Sequence, residues 1–91
     1  MVPQRTNLAE HESVRTLRAA HELLHRYWPG DNSAALLAFH QDAADLYDRI
    51  ANIDLAHQHE ARYWAHEERD AAQVVAEQMA APTQASRSEL P

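Results

Sequence analysis

Apolar residues recur at helical spacing in three stretches of this chain, separated by two short breaks. In the first stretch Val14, Leu17, His21, Leu24 and Trp28 follow one another at steps of 3, 4, 3 and 4, and Ala20, Leu23 and Tyr27 widen the stripe. A helix is expected over residues 8–28, with Asn7 as its N-cap. Pro29-Gly30 should end it, because proline disfavours helical angles at the residue before it and glycine accepts left-handed ones. After a turn over residues 31–33, Leu36, Phe39, Ala43, Leu46 and Ile50 repeat the same steps, with Ile53 in line. They predict a second helix over residues 33–51. Asn52-Ile53-Asp54 reads as a break, since Asn52 can close one helix and Asp54 can cap the next. An uninterrupted helix from residue 33 to residue 79 would far exceed the usual length in a small domain. The third helix is expected over residues 55–79, with Ala61, Ala65 (beside Trp64), Glu68, Ala72, Val75 and Met79 turned inward and Ala81-Pro82 as its stop.

Three helices joined by short turns predict an all-α fold, a three-helix hairpin bundle with antiparallel neighbours. Residues 1–7 and 81–91 lack periodicity and read as disordered tails around a helical domain over residues 8–80. The expected core centre is Leu17, Leu24, Trp28, Phe39, Leu46, Ile50, Trp64 and Val75. The only glycine, Gly30, falls between helices, which agrees with all three assignments.

Composition narrows the function. A 91-residue chain makes one small domain. Such a chain buries only about 60% of its unfolded surface, so self-association or a partner would help complete its core. The net charge of −6 argues against a general binder of the phosphate backbone, and nucleic acid is not an expected partner. No stretch approaches the ~20 apolar residues that span a bilayer, so no membrane partner is expected. Cysteine is absent, which removes disulfides and thiolate metal sites and fits a reducing, cytoplasmic setting. All eight fixed positive charges are arginines. Seven histidines are many for this length, and their titration would move the net charge between pH 5 and 8.

The candidate chemistry sits mainly on the third helix. His59, Tyr63, His66 and Asp70, spaced 4, 3 and 4, fall opposite the Ala61/Ala65/Ala72 stripe. With His57, Glu60 and Trp64 alongside, they form an aromatic and imidazole strip suited to binding a protein partner or a second copy. The partner-binding set is therefore His57, His59, Glu60, Tyr63, Trp64 and His66. The competing reading puts Tyr63 and Trp64 in the core, with the histidines covering its edge. His21 and His25, at i and i+4, could share a metal if Glu68 reached them from another helix, although a satisfied buried His21 is the simpler arrangement, with Glu68 paired to an arginine or to His21 across the helix interface. No cofactor is implied. No serine lies in a nucleophile elbow and no glycine-rich loop exists to cradle phosphate, so an enzyme is not expected.

Three resemblances follow from particular residues. Leu37-Ala-Phe-His40, Leu46-Tyr47, Ile50-Ala51, Ile53-Asp54, His57-x-His-Glu-Ala-x-Tyr-Trp-Ala65 and Glu68-Arg69 resemble a group of small uncharacterised actinobacterial helical proteins over residues 14–79. That resemblance implies a cytoplasmic accessory or regulatory factor and assigns no catalytic residue. Trp28-Pro29-Gly30, with Tyr63-x-x-x-Glu67 later, is similar to the signals of WXG-type secreted helical hairpins, which implies an exported dimer partner. Ala44, Tyr47, Ile50 and Ala56 resemble half of one tetratricopeptide repeat, which implies a helical hairpin and nothing further.

Overall fold

The computed structural model describes residues 13–88, with side chains as far as residue 80. Its described residues form helix α1 (Leu17–Arg26), helix α2 (Ser33–Ile53), a single 3-10 turn (Leu55–His57) and helix α3 (Gln58–Ser88), and no strand. The expected all-α three-helix bundle is what the chain forms. Leu17 meets Asp54, His21 meets Tyr47 and Trp28 meets Phe39, so α1 runs antiparallel to α2. The turn at Asp54 then reverses the chain and lays α3 back along α2.

Helix α1 starts later and ends earlier than its apolar stripe suggested. The expected cap Asn7 and residues 8–12 lie outside the described residues. Thr16 caps α1 instead, in an extended conformation (φ −131°, ψ 156°), its hydroxyl accepting from the Ala19 N–H at 3.1 Å. Val14 is buried without being part of α1, and its carbonyl accepts from the Arg49 guanidinium at 2.9 Å. At the other end Tyr27 closes the helix two residues before Pro29, and Gly30 takes the left-handed φ of 81° that the turn needs.

Helix α2 is capped by Asn32, whose side chain accepts from the Ala35 N–H at 2.9 Å. It runs to Ile53, two residues past the expected end, and the break falls at Asp54. Ile53 lies exposed at the turn and does not extend the core stripe. The 3-10 turn and the start of α3 close off the freed backbone: His57 N–H donates to the Asp54 carbonyl at 2.9 Å, and the Gln58 side chain donates to the Ala51 carbonyl at 2.9 Å.

α2 buries two adjacent stripes because it has two neighbours. Phe39, Ala43, Leu46 and Ile50 form one, and Ala44, Tyr47 and Ala51 form the next. From α3, Ala61, Ala65, Ala72 and Val75 are buried, and alanine at these positions lets the hairpin backbones approach closely. From α1, Leu17, Ala20, Leu23 and Leu24 close the core. Burying each leucine contributes about 1.5–3 kcal/mol. Two expected core residues fall outside it: Trp28 is 56% exposed and Trp64 36% exposed. Met79 is also largely exposed, since it lies near the open end of the hairpin. Pro82 does not stop α3, which continues as backbone helix through residues 81–88 of the expected disordered tail.

Candidate functional site

Half-buried polar residues line the seam at the edge of the core between the helices. At the turn end of the seam the Asp54 carboxylate accepts from the Leu17 backbone N–H at 2.9 Å, and the His57 ring Nδ1 lies 3.0 Å from each of its oxygens. Asp54 was expected to cap the helix that follows it. Its side chain makes no such bond and instead caps the first residue of α1, 37 positions earlier in sequence. The Leu17 N–H and then His57 hold the Asp54 carboxyl below its ordinary value, and the Asp54 bond and charge raise His57 above the ordinary imidazole value.

One step along the seam, Tyr47 Oη lies 2.7 Å from His21 Nδ1. Burial, reinforced by the nearby Glu68 charge, pushes the Tyr47 phenol far above its ordinary range, so it stays neutral and keeps a proton to donate. Trp64 packs edge-on against the His21 ring at 5.3 Å and lies 6.3 Å from the Tyr47 ring. At the far end His40 Nδ1 and Glu68 Oε1 are 2.6 Å apart, both largely shielded, with Trp28 edge-on to Phe39 and near His40.

Between α1 and the start of α3 the seam opens into a groove of about 600 Å³. Thr16, Leu17, Arg18, His21 and Glu22 line it from α1, and Asp54, His57 and Glu60 from the other side. Arg18 and Glu22 pair across one helical turn at 3.5 Å on its rim. The groove surface is mostly apolar although seven of its eight lining residues are polar or charged, and both signs of charge are present.

The six residues expected to form one strip divide into two groups. His57 and Glu60 line the groove, and Trp64 stands next to it against His21. His59, Tyr63 and His66 lie on the outer face of α3, all exposed, with His66 Nε2 3.3 Å from Asp70. Tyr63 and Trp64 join the groups through an edge-to-face contact at 5.2 Å. Tyr63 is 55% exposed, so the reading that both rings pack in the core fails for Tyr63 and holds only partly for Trp64.

The alternative trio of His21, His25 and Glu68 is not assembled. His21 bonds Tyr47, Glu68 bonds His40, and His25 is exposed on α1. Glu68, for which an arginine or His21 was the expected partner, bonds His40 instead. Among the described residues no group of three or more histidines, aspartates and glutamates is placed to hold a metal ion.

Sequence reasoning missed Tyr47, His40 and the tertiary role of Asp54. A signal was present: His40, Tyr47 and Asp54 stand seven residues apart, one stripe over from Phe39, Leu46 and Ile53. Among the described residues no helix is long and apolar enough to cross a membrane. No protein-family model, no curated protein and no solved structure matches this chain.

Proposed function

We propose that the protein is a small accessory or regulatory module that binds another protein chain, either a partner or a second copy, along the α1/α3 groove and the aromatic strip of α3. The observation that carries this reading is the Tyr63–Trp64 pair: two large rings, 55% and 36% exposed, held edge-to-face, with Trp64 against the groove residue His21. Exposed aromatics fixed in place lose little entropy on binding, which makes such rings common anchors of interfaces. His57 and Glu60 supply polar contacts inside the groove, and His59 and His66 supply them outside it. The cytoplasmic setting implied by the actinobacterial resemblance belongs to the same reading.

The test is the mass in solution by light scattering at neutral pH with chelator present, for the wild type and for His59→Ala/Tyr63→Ala. The double variant is expected to keep its helicity, because both side chains are exposed. A wild type heavier than the 10.4 kDa monomer that reverts to monomer in the variant identifies a second copy as the partner. Monomers in both leave the strip free for a different chain. A variant that loses its helical signal would show that these side chains belong to the core and would overturn the proposal.

A further inference from the structure

Asp54 is bonded to α1 and to the 3-10 turn as well as closing α2. It follows the last residue of α2, it accepts the first backbone N–H of α1, and it holds His57 at the entry to α3. The two walls of the groove, Leu17 on one side and His57 on the other, are therefore tied to a single carboxylate. The Arg49 bond to Val14 and the His21–Tyr47 bond also join α1 or its lead-in to the hairpin.

We propose that the Asp54–His57 clasp is a pH-dependent tie that sets how firmly the start of α1 is docked on the α2–α3 hairpin, and so how wide the groove stands. The clasp is strongest when Asp54 is ionised and His57 is protonated. The charged and titratable groups around it are Arg18, His21 and Glu22 from α1, Arg49 from α2 (held on the Val14 carbonyl) and Glu60 from α3. Arg18 is opposed by Glu22, and Glu60 favours the charged form of His57. Asp54 has its carboxyl lowered, so its contribution is complete above its ordinary value of 3.8 and fades as the pH falls through the lowered one. His57 is raised, so its contribution is complete below 6.5 and fades as the pH rises through the raised value. The tie thus holds best in mildly acid solution and slackens on either side. With His57 neutral, the carboxylate still caps Leu17 but has lost its charged neighbour. The tie stands on contacts within one chain, so a failed search for a partner leaves it intact, and its own failure leaves the binding surface intact.

The test follows the Leu17 amide and the His57 ring by NMR across pH in the full chain. The Leu17 amide proton, bonded to the carboxylate, should show two transitions: one shared with the Asp54 carboxyl below 3.8, and one shared with the His57 ring above 6.5. Asp54→Asn should abolish both. It should also speed hydrogen exchange at Ala20, Leu23 and Leu24 relative to Leu46 and Ile50. His57→Gln, which keeps a side-chain donor but does not titrate, should abolish only the upper transition. If Asp54→Asn does not fold, His57→Gln alone decides the matter. A Leu17 amide without the upper transition in the wild type, or with it unchanged in His57→Gln, would overturn the proposal. So would α1 exchange protection that keeps a constant ratio to that of α2 at every pH.

Discussion

The two ends of α1 are fastened by different physics. At its start the contacts are polar: the Thr16 hydroxyl and the Asp54 carboxylate take the Ala19 and Leu17 N–H groups, and Arg49 reaches the Val14 carbonyl. At its finish they are aromatic: Trp28 meets Phe39 edge-on at 5.2 Å and lies 5.9 Å from the His40 ring. Polar fastening depends on direction and on charge state, whereas ring packing depends on neither Asp54 nor His57. The groove lies at the polar end, where the wall of α1 is held in part by the titratable Asp54 carboxylate. A surface meant to adjust to a partner is better placed there than at the aromatic end.

Breaking the span between the two ends should have the largest effect. Leu24→Ala removes a buried side chain from the middle of the α1 contact and should cost about 2–5 kcal/mol in urea unfolding, at any pH. Trp28→Ala loosens only the aromatic end and should cost about 1–2 kcal/mol, because more than half of the ring is already in water. That cost should not follow the Asp54 and His57 transitions, and a cost that did would couple the two ends. Asp54→Ala loosens only the polar end. Its destabilisation should peak between the ordinary values of 3.8 and 6.5, then shrink as the pH falls through the lowered Asp54 value or rises through the raised His57 value. Thermal melts of the wild type and the variant across that range would read this directly. The smallest effect belongs to the outer face of α3: His66→Ala breaks an exposed i,i+4 pair with Asp70 and should stay within about 0.5 kcal/mol of the wild type.

Much of this fold was legible because its helices carry regular apolar stripes and clean turn residues. The 3, 4, 3, 4 spacing located all three helices, Pro29-Gly30 marked the first turn, and Asp54 fell within the expected second break. Three features were hidden, each for a stated reason. Thr16 reads as a helix-interior residue until Asp54, distant in sequence, supplies the second hydrogen bond that helps fix the helix start. The second buried stripe of α2 was overlooked because a single stripe describes a helix with one neighbour, and α2 has two. Trp28 was read as core from its place at the end of the first stripe and Trp64 from its place beside Ala65, yet a large amphipathic ring can rest against the core with one face in solvent. At the candidate site, the exposed positions of His59, Tyr63 and His66 followed from the helical wheel. The groove did not, because it requires knowing that the first part of α1 faces the start of α3.

The most direct test of the binding surface is photo-crosslinking in the cells that make the protein, with a photoreactive phenylalanine analogue at position 63 and, as the control, at position 41. Gln41 lines a separate depression between α2 and α3, with Asp45 and Arg69. The account predicts one discrete adduct from position 63, with a second copy or with another chain, that is absent from position 41. No adduct from position 63, or the same adducts from both positions, would contradict it.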